Sequence, residues 1–139
     1  MATRSLVRFA TREEGVSFSE HPERVEVQVY KHYDGYPSGH PTKLAEFLKD
    51  FKVVNGLGQD IYKVANGVGC LAAQYVAAFK MDAGDMYIEN ADTEHFDIEY
   101  VTYVWGTENK DIWMSIFENY SGECIFVGKP QQLIDKYDD

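Results

Sequence analysis

The stretch Val64-Ala65-Asn66-Gly67-Val68-Gly69-Cys70-Leu71-Ala72-Ala73-Gln74-Tyr75-Val76-Ala77-Ala78-Phe79 decides how the rest of the chain is interpreted. A glycine-broken turn leads directly into a helical pattern that is apolar on nearly every face. A helix without a polar face is typical of a protein interior, because no face remains for water. We therefore predict a central core helix here, with its polar groups, such as Asn66 and the thiol of Cys70, at its first turn.

The segments on either side of this helix predict strands and further helices. Residues 24–32 alternate valine with polar side chains, which is the pattern of a half-buried strand. Apolar residues recur at helical spacing between Leu44 and Phe51, which predicts a helix from about Pro41 to Lys52. The remaining predicted elements are strands near residues 6–9, 16–18, 86–88, 98–105, 112–117 and 124–127 and a short helix over 131–137.

Together these elements predict one domain of the α+β class. The chain has 139 residues, which is long enough to bury a proper core, and no linker divides it. We predict a single α+β domain over residues 1–139. In it, a mainly antiparallel sheet of about five to seven strands packs against two central helices, and a short helix ends the chain.

An internal echo precedes the central helix. Val53-Val54-Asn55-Gly56-Leu57-Gly58 is matched eleven residues later by Val64-Ala65-Asn66-Gly67-Val68-Gly69. The two copies predict a paired loop around a short helical turn at residues 59–63. Eleven residues are too few for a solenoid repeat.

The charge balance narrows the class of partner. The chain carries 13 basic and 23 acidic residues, a formal net charge of −10. Nucleic acid and anionic membranes both attract basic surfaces, so nonspecific binding to either is not expected. The acidic residues at 89, 92, 94, 97 and 99 are interpreted as a solvated loop and sheet edge. An acidic surface that mimics nucleic acid remains open.

The cysteines and the apolar segments predict the compartment. No segment is apolar for long enough to form a transmembrane helix, and the N-terminus lacks the apolar run of a signal peptide. Cys70 and Cys124 each lie in an apolar run and are predicted to be reduced, buried thiols. A disulfide between them is left open. We expect a cytoplasmic protein.

Four motifs carry a family resemblance: Thr3-Arg4-Ser5-Leu6, Tyr33-Asp34-Gly35-Tyr36-Pro37-Ser38-Gly39, Val53-Val54-Asn55-Gly56-Leu57-Gly58 and Asn66-Gly67-Val68-Gly69-Cys70-Leu71-Ala72-Ala73-Gln74. In them the chain resembles a family of small uncharacterised bacterial and bacteriophage proteins, well from Thr3 to Phe79 and more loosely beyond Tyr87. The resemblance implies a prokaryotic or phage origin and brings no established activity. Pro41 departs from the family pattern, in which glycine or a helix-compatible residue is more usual.

Two loops, at residues 30–40 and 66–70, contain polar and aromatic side chains with no obvious role in the fold. Binding residues tend to lie in loops. The leading hypothesis is a binding or interaction protein whose site combines the 30–40 loop with the 66–70 turn. Its predicted binding residues are Tyr30, Tyr33, Tyr36, His40, Asn66, Gly67, Gly69 and Arg4. The partner is predicted to be a protein or a small molecule.

Cys70 supports an alternative hypothesis, a cysteine-dependent hydrolase or transferase. A helix N-terminus stabilises a thiolate, and catalytic cysteines often occupy such a position with a histidine from a distant strand. In this hypothesis His32 and Asp34 orient the Cys70 nucleophile. The other interpretation is that Cys70 is a small apolar residue that begins a buried helix, as free cysteine often is. Whether the chain is an enzyme therefore stays open.

The sequence contains the residue types of two further kinds of site. Consecutive amides at a helix start bind phosphate, so the glycine turns could hold a phosphorylated small molecule with Arg4, Lys31 or Lys63 as countercharge. His32, Asp34, His40 and His95 are the residues that could ligate a metal ion. Their spacing matches no metal-binding pattern, so neither a metal nor a cofactor is predicted.

Overall fold

The computed structural model describes residues 3–12, 24–54, 64–107 and 111–137. In chain order the elements are β1 (Ser5–Thr11), β2 (Arg24–Lys31), α1 (His40–Leu48), β3 (Lys52–Val54), β4 (Val64–Asn66), α2 (Gly67–Phe79), β5 (Met86–Glu89), β6 (Tyr100–Gly106), β7 (Ile112–Glu118), β8 (Cys124–Gly128) and α3 (Pro130–Tyr137). The predicted strand at residues 16–18 and the predicted turn at 59–63 lie outside the described residues.

One mixed sheet organises the fold. Its strand order is β5-β2-β1-β6-β7-β8. The central pair, β1 and β6, is parallel, and the other neighbouring strands are antiparallel. The prediction of an α+β fold with a mainly antiparallel sheet and a short C-terminal helix is thus confirmed.

The internal echo has a structural counterpart. β3 and β4, which contain the first residues of its two copies, lie side by side as a separate parallel pair. Lys52 pairs with Val64, and Val54 pairs with Asn66. The glycines of the first copy lie outside the described residues.

The main core lies between the sheet and the helices. Val7 and Phe9 of β1 point to this side, where they meet Leu48 of α1 and Leu71 and Tyr75 of α2. All five side chains are nearly or fully buried. Complete burial of a side chain such as Leu71 contributes about 1.5–3 kcal/mol. Alternate residues of the strands form a second apolar cluster on the opposite face, which no described helix covers.

The central helix is not buried on every side, which corrects the prediction of a core helix. Val68, Leu71, Ala72 and Tyr75 face the sheet and are buried. The opposite side of α2 is exposed and carries Gly69, Cys70, Ala73, Ala77 and Ala78. Alanine favours helix formation and exposes only one methyl group, so an alanine-rich face can lie in water at little cost.

Two other predictions need correction. The first helix ends at Leu48, not near Lys52, because Lys52 pairs in β3 with Val64. Cys70 is exposed and Cys124 is half-buried, so the prediction of a buried thiol is wrong for Cys70. Both cysteines are free thiols.

Candidate functional site

A cleft of about 510 Å³ lies where the segment after β2, the start of α1 and the end of α2 meet. We call it the β2–α1 cleft. It is lined by Lys31, Tyr33, Asp34, His40, Lys43, Phe79, Met81, Asp82, Ala83 and Asp85. Its volume falls within the range of ligand sites in proteins.

The loop at residues 33–39 is held tightly on one side of this cleft. A side chain at Gly35 would begin 2.5 Å from Cβ of Ser5, and one at Gly39 would begin 2.5 Å from the carbonyl oxygen of Asp34. The backbone nitrogen of His40 donates to that same carbonyl at 2.7 Å. Asp34 itself has φ of +60°, a left-handed conformation that aspartate tolerates better than most residues. The loop is therefore closely packed against β1 and against the start of α1.

His40 lies at the inner wall of the cleft and is bonded to α2. Its Nε2 atom lies 2.5 Å from the hydroxyl oxygen of Tyr75, and both side chains are buried. Burial lowers the pKa of His40 to about 3, and the cations of Lys31 and Lys43 act in the same direction. Burial likewise raises the pKa of Tyr75 above its usual value. The pair is therefore uncharged at neutral pH.

Asp85 fixes the turn that follows α2, on the other side of the cleft. Its Oδ1 accepts a hydrogen bond from Nζ of Lys80 at 2.8 Å. Its Oδ2 accepts from the backbone nitrogens of Met81 and Asp82, each at 3.3 Å. The hydrogen bond from Lys80, followed by those from the backbone, lowers the pKa of Asp85 well below its usual value. Asp85 is thus a carboxylate that orders the cleft wall.

Large side chains are exposed around the cleft. The exposed fractions are 50% for Tyr33, 42% for Tyr36 and 80% for Met81. Tyr33 and Met81 line the cleft, and Tyr36 belongs to the same loop as Tyr33. Tyrosine and methionine are enriched at protein interfaces relative to other surfaces. The rim is therefore suited to contact with a partner.

The structure divides the predicted 30–40 group. Tyr33, Asp34 and His40 line the cleft. Tyr30 instead points to the opposite face of the sheet, where its ring stacks on His95 at 4.6 Å. His32 lies between the two groups.

His32 and Arg4, two further predicted site residues, have other partners. The hydroxyl oxygen of Tyr30 lies 3.2 Å from Nδ1 of His32. The rings of His32 and Tyr33 are nearly perpendicular, with their centroids 4.5 Å apart. Arg4 pairs with Asp97 at 3.1 Å.

The predicted turn at Asn66, Gly67, Gly69 and Cys70 lies at the N-terminal end of α2, whereas the cleft lies at its C-terminal end. The His40 ring contacts Tyr75 and Phe79, near the end of this helix. Cys70 precedes Phe79 by nine residues, which corresponds to about 14 Å along a helix. None of these four residues lines the cleft. The structure thus separates the two loops that the sequence had combined into one site.

The hypothesis of a Cys70 nucleophile stays a prediction. Cys70 is exposed in the first turn of α2, but no hydrogen bond links it to His32 or Asp34 in the part of the chain that the structure describes. The described residues also contain no group of three histidine, cysteine or acidic side chains arranged to hold a metal ion. The three histidines have different partners. His32 contacts the hydroxyl of Tyr30, His40 contacts that of Tyr75, and His95 pairs with Glu89.

Several residues of the cleft and of its supports were not among the predicted site residues. Met81, Asp82 and Asp85 line the cleft. Lys80 and Tyr75 lie behind its walls, where they bond to Asp85 and His40. The pair Lys80 and Asp85 follows directly after an apolar helix, where a lysine complements the helix dipole. That position was a signal that a structured turn ends α2.

Comparison with known proteins gives no assignment. No family model, no curated protein and no solved structure matches this chain. Among the described residues, no helix is both long enough and apolar enough to cross a membrane.

Proposed function

We propose that this chain is a small binding protein whose interaction surface is the β2–α1 cleft and its rim. The observation that carries the proposal is the exposure of Tyr33, Tyr36 and Met81 around a cleft whose walls are held in place. A pre-organised surface loses less conformational entropy on binding than a flexible one. Exposed tyrosines on a fixed loop are therefore favourable anchors for a partner.

The charges of the cleft favour a protein partner over a polyanion. Lys31 and Lys43 are accompanied by Asp34 and Asp82, so both signs are present along the wall. A net charge of −10 opposes binding to nucleic acid at long range. We therefore expect a partner that presents polar groups of both signs around an apolar contact.

The proposal includes a cytoplasmic location in a bacterial host. The free thiols of Cys70 and Cys124 support a reducing compartment, and the family resemblance supports a prokaryotic or phage origin. No observation favours the cysteine-dependent enzyme or the binder of a phosphorylated molecule over this proposal.

Affinity capture from bacterial lysate tests the proposal, with three matched tyrosine variants. Tyr33→Ala and Tyr36→Ala remove the exposed rings at the cleft, whereas Tyr120→Ala removes an exposed ring from the turn between β7 and β8. We expect the native chain and Tyr120→Ala to retain a common partner and the two cleft variants to lose it. Equal recovery by all four proteins would contradict the proposed surface.

A further inference from the structure

A row of hydrogen-bonded side chains crosses the face of the sheet opposite the helices. In order across β5, β2, β1 and β6, its members are Glu89, Gln28, Arg8 and Tyr103. Each is the register partner of the next. Gln28 donates from Nε2 to Oε1 of Glu89 at 2.9 Å. Arg8 donates from Nε to Oε1 of Gln28 at 2.8 Å and from Nη1 to the hydroxyl of Tyr103 at 2.9 Å.

This row fixes the orientation of the Arg8 guanidinium. Gln28 is fully buried, and its amide nitrogen also donates to the carbonyl of Thr93 at 3.0 Å. Because both hydrogens of the Gln28 amide nitrogen are donated to acceptors, at Glu89 and Thr93, its amide oxygen faces Arg8. The guanidinium is then held from two sides, by Gln28 and by Tyr103. Such fixed geometry lowers the entropy lost when an arginine binds a ligand.

A cavity of about 470 Å³ opens over Arg8. Leu6, Ile98 and Val101 give it apolar walls. Its polar lining residues include Arg8 and Tyr103 on the sheet, and Asp92, Thr93, Glu94, His95 and Asn119 around it. The cavity is separate from the β2–α1 cleft, because its strand residues belong to the opposite face of the sheet. Its size is that of a site for a small molecule.

Arg8 presents an unpaired charge to this cavity. Within the described ranges, no carboxylate forms an ion pair with Arg8, and its Nη2 atom has no hydrogen-bond partner. Glu89 reaches it only through the amide of Gln28. A half-buried guanidinium gains a strong, charge-assisted interaction from any anion that enters.

We propose that this cavity binds a small organic carboxylate with an apolar body. The carboxylate accepts hydrogen bonds from Nη2 and the remaining Nη1 hydrogen of Arg8, a geometry that guanidinium groups favour. The apolar body packs against Leu6, Ile98 and Val101. Asp92 and Glu94, which also line the cavity, repel a phosphate dianion more strongly than a carboxylate.

Titration calorimetry on the native chain tests this proposal with three probes. Phenylacetate supplies a carboxylate and an apolar ring, phenylacetamide is its neutral match, and inorganic phosphate supplies an anion without an apolar body. We expect saturable binding of phenylacetate, binding of phenylacetamide weaker by about tenfold or more, and the weakest binding for phosphate. Because it needs no variant, this comparison does not depend on how a substitution affects folding.

Variants then assign the binding to Arg8. Arg8→Met keeps most of the side-chain length without the charge, and Arg8→Lys keeps the charge without the fork. We expect phenylacetate to bind Arg8→Met about tenfold or more weakly, with Arg8→Lys between it and the native chain. Lys43→Met, on the opposite face, should bind like the native chain.

Other results would overturn the proposal. These are equal binding of phenylacetate and its amide, no saturable phenylacetate binding at millimolar concentration, stronger binding of phosphate, or undiminished binding by a folded Arg8→Met. Methyl NMR locates the bound probe. Phenylacetate should shift the signals of Ile98 and Val101, and shifts confined to Leu48 on the helix side would also contradict the proposal.

Discussion

The Nε2 atom of His40 lies 2.5 Å from the hydroxyl oxygen of Tyr75, and this buried bond joins the first residue of α1 to α2. His40 also bonds through its backbone nitrogen to the carbonyl of Asp34. One histidine is therefore bonded both to the loop that carries Tyr33 and Tyr36 and to α2.

The buried His40 makes stability depend on pH. Its pKa is lowered from 6.5 in the unfolded chain to about 3 in the fold. Its contribution is therefore complete above pH 6.5 and is lost as pH falls, since only the unfolded chain takes up a proton between these values. The loss is about 1.4 kcal/mol per pH unit. The free energy of unfolding of the native chain and of His40→Gln can be measured by urea denaturation between about pH 7 and pH 4, where only the unfolded chain protonates this histidine. It should fall less steeply with decreasing pH in the variant. Parallel slopes would exclude a neutral buried His40.

Removal of the Tyr75 hydroxyl should destabilise the fold. Tyr75→Phe leaves Nε2 of His40 buried without its partner, which costs about 1–3 kcal/mol. Tyr120→Phe is a matched control, because the Tyr120 side chain is 92% exposed and its loss should change the free energy of unfolding by less than about 0.5 kcal/mol. Chemical denaturation at neutral pH measures both. Equal effects of the two substitutions would contradict the bond.

Two glycine substitutions should have opposite effects. The new Cβ in Gly39→Ala would lie 2.5 Å from the Asp34 carbonyl oxygen and 2.8 Å from the Tyr36 ring, so we expect a loss of about 1–3 kcal/mol. Gly69→Ala places its methyl group in open space on an exposed side of α2. It should stabilise by about 0.5–1 kcal/mol, because alanine favours the helix. Thermal unfolding compares the two, and a tolerated Gly39→Ala would mean that the loop is not tightly packed.

Alkylation tests whether Cys70 is part of a catalytic group. Cys70 is exposed, whereas Cys124 is half-buried and donates a hydrogen bond from its thiol to the carbonyl of Phe126 at 3.3 Å. Burial also raises the pKa of the Cys124 thiol. Iodoacetamide should therefore label Cys70 first in the native protein, as followed by mass spectrometry. His32→Ala should leave the Cys70 rate unchanged, and a clear decrease would support the enzyme hypothesis instead.

The sequence predicted the fold well where patterns are local. The alternation in residues 24–32 and the apolar spacing from Leu44 to Phe51 predicted β2 and α1, because each pattern follows from one element alone. The predicted bounds ran past the ends of these elements at Lys31 and Leu48. The 30–40 loop was also predicted, although its first two residues, Tyr30 and Lys31, belong to β2. Only the structure revealed that Gly39 is required by close approach to Asp34, since such contacts depend on the final packing.

The candidate sites depended on information that a single sequence does not carry. Arg8 and Gln28 are neighbours only because β1 and β2 pair in one register, and a shift of one residue would place them on different faces. The position of the cleft likewise depends on which end of α2 meets His40. Apolar residues at both ends of that helix left this undecided, and the sequence therefore combined Cys70 with a loop that lies at the other end.

Site-directed photo-crosslinking tests the proposed interaction surface most directly. A photoreactive phenylalanine analogue is placed at Tyr36 beside the β2–α1 cleft in one variant and at Tyr120 in another, both exposed positions. After irradiation in bacterial cells, we expect a discrete crosslinked protein from the Tyr36 position and none of that mass from Tyr120. The same crosslink from both positions, or none from Tyr36, would contradict the assignment of this surface to partner binding.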